Sequence, residues 1–489
     1  MIATVKAATV LGIQGFLVDV EVDLSRGLPS FEIVGLPDVA VRESRQRVRA
    51  ALKNSGFEFP LQRVTVNLAP GDLRKVGSAF DLAIALGILA AGGVVEPEKL
   101  TGVLAIGELS LDGGIRGVAG VLPMVTAAVP GGVSRALVPA DNEQEAGMAD
   151  DIDIGVVNHL RDAVEVLQGI GQLVRPRPVQ FDTEPTMHND LLEVRGQLSA
   201  RRALEIAAAG RHNLLLVGPP GCGKTLLARC LPSILPPLSI DEAIEVAQIY
   251  SVAKGGQAPL RLSLNRPFRS PHHSSTVAGM IGGGIQPLPG EVTLAHHGVL
   301  FLDEAGEFRR RVLDVLRQPL EDGVVSLVRH GYSVTYPSVC QLVLAANPCP
   351  CGFLGSTAKD CICSGRDVAS YRRRLSGPLL DRVDLQVWMG ALESRDYLTE
   401  GEPSQAVRER VYNAWQHARA NGVPQDTNTV PNVSKEGLAV LAGAVRKFQL
   451  SARAVTRTQR VARTIACLSQ ADTIQADHIA EALTYRLAL

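Results

Sequence analysis

The sequence predicts an α/β protein built from more than one globular unit, and three observations carry that expectation. Its 489 residues exceed what one hydrophobic core organises and correspond to roughly three units at ordinary domain sizes. Alternating or wholly apolar runs (VDVEVDL, FEIVGL, RVTVNLAP) are interleaved with helical-period stretches such as Val39 to Asn54 and Ala79 to Ala91. The final part of the chain turns Ala-rich and purely helical in period. With 46% hydrophobic and 20% charged residues, the composition excludes a disordered chain.

Residues 1–170 read as a first α/β domain. Gly171 to Asp190 (GQLVRPRPVQFDTEPTMHND) holds three prolines and little periodicity, so 171–190 reads as a linker. A second α/β domain is expected over 191–391. Residues 392–489 follow as a helical domain of SQAVRERVYNAWQHARA, SKEGLAVLAGAVRKF, SARAVTRTQRVARTIACL and QADHIAEALTYRL, whose apolar residues recur at helical spacing. The N-terminus alternates apolar with acidic residues, which is a strand pattern and not a signal peptide. No apolar run approaches the ~20 residues of a membrane span, so a cytoplasmic protein without a membrane partner is expected. Eight cysteines fit a reducing compartment in which thiols stay free or bind metal. A net charge of −1 means that any bound polyanion must meet a local basic stripe. Aromatics, at 4%, are too scarce for base stacking to be the main mode of binding.

Within NLLLVGPPGCGKTLLARCL an apolar strand breaks at Gly218, and Gly218, Pro219, Pro220, Gly221, Cys222, Gly223, Lys224 and Thr225 fit G-x-x-x-x-G-K-[ST]. Gly221 and Gly223 let backbone N–H groups close around phosphate, Lys224 reaches the β and γ phosphates of ATP, and Thr225 ligates Mg²⁺. Farther on, HHGVLFLDEAGEF presents an apolar strand ending in Asp303 and Glu304. Asp303 is expected to share the magnesium shell, and Glu304 to polarise a water for attack on the γ-phosphate. A third strand, VCQLVLAANP, brings Asn347 to the same sheet edge, where its amide would orient that water or touch the γ-phosphate.

The order of phosphate loop, acidic strand end, Asn-ending strand, SGPLLDR and a helical domain with SARAVTR resembles the AAA+ ATPases. Within them it resembles the magnesium-chelatase-like branch and the YifB/ComM family of bacterial competence-associated helicases. LPSFEIVGLPDVAVRESRQRVRAAL, RPFRSPHHSSTVAGMIGGG and SGPLLDRVDL carry the likeness across nearly the whole chain. The resemblance implies that Arg382 is an arginine finger donated to the γ-phosphate of a neighbouring subunit, hence a ring, most simply a homohexamer. Taken without the resemblance, Arg382 would form a local ion pair with Asp381 or Asp384. The resemblance also implies that Arg453 reaches back to the nucleotide of its own subunit. The function it implies is ATP-driven movement of forked, junction or single-stranded DNA, as in branch migration during recombination or natural transformation. The alternative is the ATPase subunit of a magnesium chelatase.

Cys349, Cys351, Cys361 and Cys363 follow Asn347 in the pattern C-x-C, nine residues, C-x-C. They are expected either to close a structural Zn²⁺ site or to remain free thiols. Arg266, Arg269, His272 and His273 read as an insert facing the ring's pore, which either touches a nucleic-acid backbone or is plain loop structure. The first domain resembles the proteolytic domain of Lon-type proteases, whose Ser nucleophile needs a Lys base. Ala79 falls at the nucleophile position with Ser78 beside it, Leu122 stands where the base belongs, and no lysine occurs between Lys99 and Lys224. A catalytically dead collar is expected.

Overall fold

Strict alternation in the first seventy residues builds half-buried strands. In β2 (Gln14–Ser25) Val18, Val20 and Val22 are fully buried, while Asp19, Glu21 and Asp23 face outward. A computed structural model describes residues 2–179, 189–253, 263–284, 287–329, 332–356, 359–375, 377–391, 401–421 and 432–486. Part of the expected linker (180–188) and the expected boundary near 392 lie outside the described residues.

The contacts divide the chain into two units. One is Met1–Asp182 with Ile240–Ser263, and the other is Thr183–Ser239 with Leu264–Leu489. The first holds a seven-stranded sheet ordered β3 (Ser30–Val34), β4 (Arg63–Ala69), β2, β1 (Ile2–Leu11), β5 (Val103–Ala105), then the strands Arg135–Pro139 and Asp153–Val157. The β1–β2 and β2–β4 pairs are antiparallel and the others parallel.

Helix α1 (Val39–Asn54) spans the expected residues. Asp38 caps it by accepting from the Val41 N–H, and Val41, Ser44, Val48, Ala51 and Leu52 form its buried face. Helix α2 (Asp81–Ala91) is buried on every side, as a sequence without a polar side chain after Asp81 requires. It lies close to the sheet because a Cβ at Gly87 would stand 2.6 Å from the Val22 methyl. Its first residue, Asp81, is a buried carboxylate that accepts from Ser44 Oγ, from Arg47 Nε at 2.6 Å and from the Leu109 N–H at 3.2 Å. Burial raises its pKa against the opposing pull of Arg47. Removing Arg47 would strand that charge at a cost of about 3–5 kcal/mol.

The expected 191–391 domain needs a correction, because the helix Ile240–Ala253 packs with the first unit. It lies on α3 (Val121–Ala128), where Leu122 and Ala247 are both buried beside Met148, Val179 and Tyr250. The Gly120 N–H donates to the Ser251 carbonyl at 3.3 Å. Buried Glu145 accepts from the Leu122 N–H at 3.1 Å and from Ser251 Oγ at 3.2 Å. The position where a Lon-type base would stand is thus an apolar contact, and Ser78 Oγ donates to Glu108. Lys75, wholly buried, donates to the Pro70 carbonyl.

The second unit is built on a parallel sheet ordered Phe268–Arg269, Val299–Leu302, Gln341–Ala346, Leu214–Val217 and Leu385–Trp388. Every residue of the three central strands is buried. This is why they read as continuous apolar runs, and each such Val or Leu contributes about 1.5–3 kcal/mol. The helices Ser404–Ala420, Lys435–Phe448, Ala452–Leu468 and Ala476–Thr484 form the lid and share one hydrophobic core with the sheet. Trp415 Nε1 donates to the Ala208 carbonyl at 3.3 Å, and buried His212 meets Thr464 Oγ1 at 2.7 Å. No described helix is long and apolar enough to cross a membrane.

Candidate nucleotide site

Parallel strands deliver their C-terminal ends to one edge, and the phosphate loop begins there. Gly218 follows the Leu214–Val217 strand, and only glycine fits, since a Cβ would stand 2.3 Å from the Met389 carbonyl oxygen. Gly221 (φ +79°) and Gly223 (φ +93°) are left-handed, and a Cβ on either would meet nothing within 4 Å. The loop therefore turns its backbone toward open space, as an anion cradle must.

The helix Lys224–Arg229 then starts. Lys224 Nζ donates to the carbonyls of Gly218 and Pro219, each at 2.8 Å, and to Asn347 Oδ1 at 3.2 Å. Burial lowers the pKa of this ammonium, against the pull of Cys222 and Asp303. Thr225 Oγ1 donates to Asp303 Oδ2 at 2.8 Å, so the hydroxyl and carboxylate that would share a metal already touch. Asp303 also accepts from the Glu304 N–H at 2.9 Å. Glu304 itself is left-handed (φ +49°), a strained backbone for a residue with a side chain. Its carboxylate lies 3.5 Å from His273 Nδ1.

Four sequence-derived residues, Lys224, Thr225, Asp303 and Asn347, therefore form one bonded cluster, with Glu304 at its rim. Arg382 and Arg453 are not in it. The Leu385–Trp388 strand pairs in register with Leu214–Val217, from Leu214 opposite Leu385 to Val217 opposite Trp388. Arg382 precedes that strand, so it lies at the edge where strands begin, about 13 Å of strand away from the phosphate loop.

Arg382 pairs with Glu321, not with Asp381 or Asp384, and donates to the Pro378 carbonyl at 2.7 Å. Glu321 has its pKa lowered chiefly by Arg382, with Arg453 and Arg317 adding to it. Asp384, two residues on, is buried. Burial alone would raise its pKa, but His212, Arg460 and Arg457 hold it below the usual carboxylate range. Asp384 borders a cavity of about 460 Å³ lined also by Arg211, Arg382, Arg457 and Arg460.

For its two arginines, the nucleic-acid contact expected of the insert is corrected. Arg266 is 6% exposed, donates to the carbonyls of Pro236 and His297, and stacks on Trp415. Arg269 is bidentate to Glu291 at 2.7 and 2.8 Å. Both arginines hold the fold together. The contact of Glu321 with Arg382 had no sequence signal, because Glu321 comes from a segment without a motif, and that of His273 with Glu304 had none because the two residues lie about thirty positions apart in separate segments.

The four cysteine sulfurs lie within 4.8 Å of one another, with Sγ–Sγ separations of 3.4 Å (Cys349–Cys351), 3.7 Å (Cys349–Cys361) and 3.6 Å (Cys351–Cys361). A tetrahedron with Zn–S bonds of about 2.3 Å has edges of about 3.8 Å, so the set fits zinc. The Phe353 backbone N–H lowers the Cys351 pKa to about 6, against desolvation. The loop also abuts the phosphate loop, since a Cβ at Gly352 would stand 2.6 Å from Pro220 Cδ.

Family models match along the chain: "Magnesium chelatase, subunit ChlI" over residues 190–397, "Subunit ChlI of Mg-chelatase" over 20–142 and the ChlI C-terminal model over 401–486. The chain is 43% identical over 493 residues to an uncharacterized protein of Mycobacterium tuberculosis (98% of this chain, 97% of that protein). It is 41% identical over 497 residues to the uncharacterized protein YifB of Escherichia coli (99% and 97%). It is also 41% identical over 504 residues to the competence protein ComM of Haemophilus influenzae (99% and 97%).

The chain belongs to the YifB/ComM family.

As a magnesium-chelatase-like AAA+ protein, this YifB/ComM member is an ATPase. ATP and Mg²⁺ are the cofactors the family implies, and the residues fit them. The glycine cradle and Lys224 would hold the phosphates, and Thr225 with Asp303 the metal, which offsets phosphate charge. A shorter likeness, 28% over 177 residues, to Lon protease 2 of Bacillus subtilis covers 35% of this chain and 31% of that protein. The N-terminal unit of this YifB/ComM chain is accordingly Lon-like.

Proposed function

We propose that this protein acts in the cytoplasm as a ring of identical subunits, most simply six, that couples ATP hydrolysis to movement of DNA strands, as in branch migration. One observation carries this reading: Arg382 stands at the sheet edge opposite the phosphate loop of its own chain. A guanidinium held there meets a γ-phosphate only across a subunit boundary, so the pocket needs a neighbour. In it Lys224 and Arg382 offset charge on the γ-phosphate, Asn347 orients the attacking water, and Glu304 accepts its proton. The competence role named for the ComM relative supports DNA as the object moved. The cysteine loop, wedged against Pro220, braces the phosphate loop when its four thiolates hold zinc, with no position left open for catalysis.

A second reading, the ATPase subunit of a magnesium chelatase, is favoured by the names of the matching family models. An ATPase assay against DNA forks, junctions, single strands and duplexes separates the two. The DNA reading expects a several-fold rise with branched or single-stranded DNA, and a Glu304→Gln chain that retains ATP and DNA together. A rate that DNA leaves flat and a porphyrin-binding partner raises would replace it with the chelatase reading.

A further inference from the structure

The first unit carries a face that the ATPase chemistry does not use. Its strand β3 is outermost in the sheet, pairing with β4 alone among the described residues. Beside it, the outward side of α1 sets Arg42, Arg45, Arg49 and Lys53 one turn apart, all exposed. The helical rise spaces them about 5–6 Å from one to the next. Two grooves run along this row, one of about 600 Å³ and one of about 410 Å³, and Phe31 and Arg49 line both. In the larger, Phe31 and Phe59 stand 5.6 Å apart, the Arg49 guanidinium lies 5.4 Å above the Phe59 ring, and Leu61 is 83% exposed.

A charged helix face is ordinarily just solvated, but two features set this one apart. First, cations outnumber acids along it: Glu32 is paired with Arg63 at 3.3 Å, and Glu43 and Glu58 are the acids that line the grooves. Four cations therefore stand against two acids, in a chain whose net charge is −1. Second, three of the chain's eleven phenylalanines (Phe31, Phe57 and Phe59) line the groove beside the row. Cations in a line with aromatic faces alongside match a single nucleic-acid strand, whose phosphates and unpaired bases are presented together. A duplex would leave the rings without a base. A protein strand added to β3 would leave the arginine row without counter-charge.

We propose that this face binds single-stranded DNA, with phosphates along Arg42 to Lys53 and bases against Phe31 and Phe59. The inference rests on the DNA reading above and names where the strand is held.

The test is fluorescence anisotropy of the full chain with labelled oligothymidylate and with a duplex, across a salt series. The variants are Arg42→Gln/Arg45→Gln/Arg49→Gln and the corresponding triple Lys, and thermal melting checks their folding. At about 0.7 per phosphate contact, the Gln variant should lose about 2 from the salt slope and about tenfold or more in affinity for the single strand. The Lys variant should keep the slope. Wild-type protein that binds oligothymidylate while the Gln variant matches it in affinity and slope overturns the proposal and leaves the DNA motor standing. Wild-type protein that binds no DNA removes both. A Gln variant that changes sedimentation but not DNA binding assigns the face to a second copy of the chain, and the proposal fails.

Discussion

Glu145 accepts hydrogen bonds from two elements that the chain brings together only in the folded state, and burial raises its pKa to about 7 from an ordinary 4.5. The folded protein therefore holds a proton that the unfolded chain releases between those values. That contribution to stability is present at low pH and lost as pH rises from about 4.5 to about 7. A Glu145→Gln chain should lack this decline. Melting temperatures across that window should show wild type falling relative to the variant, then running parallel to it above pH 7. Single residues were legible where chemistry dictates both type and spacing: Gly218 to Thr225, Asp303 and Asn347 meet as the sequence implied. Arg266 was misread because nothing in its neighbours announces that Trp415 and two carbonyls will enclose it.

Among the elements, the cysteine loop supplies the sharpest expectation. Purified protein should carry about one zinc per subunit. Cys361→Ser should lower both that content and ATPase activity, with metal analysis and a thiol titration as the readouts. Full metal loss with unchanged turnover would uphold the zinc site but refute its bracing of the phosphate loop at Pro220. Most elements could be read from period alone. Helix α1 and the lid helix Ser404–Ala420 span the stretches whose apolar residues recur every three to four positions. The partner of Ile240–Ala253 was not legible, since periodicity reveals that a helix has an apolar side but not what covers it. Leu122 held the missing half of that information. In the sequence it stands out only as the wrong residue for a base, yet it is the right one for a helix contact.

For the molecule as a whole, the separation of Arg382 from Lys224 gives a complementation test. Arg382→Ala alone should lose about 10³ in rate, and Lys224→Ala alone should be inactive. Mixed in equal amounts, randomly assembled rings would have about a quarter of their interfaces with both groups intact, and activity should return toward that fraction. No recovery, with mixed assembly verified by differently tagged subunits, would mean that Arg382 serves its own chain.

The path of the backbone limits what can be transplanted. The chain leaves the ATPase unit after Ser239, contributes a helix to the Lon-like unit, and comes back at Leu264 shortly before the strand Phe268–Arg269. A fragment cut at Asp182 would omit that helix and leave Leu122 without its cover. The two halves are thus a poor pair for modular exchange. A chimera that borrowed the Lon-like unit from a relative without also borrowing residues 240–263 would join surfaces selected for different counterparts.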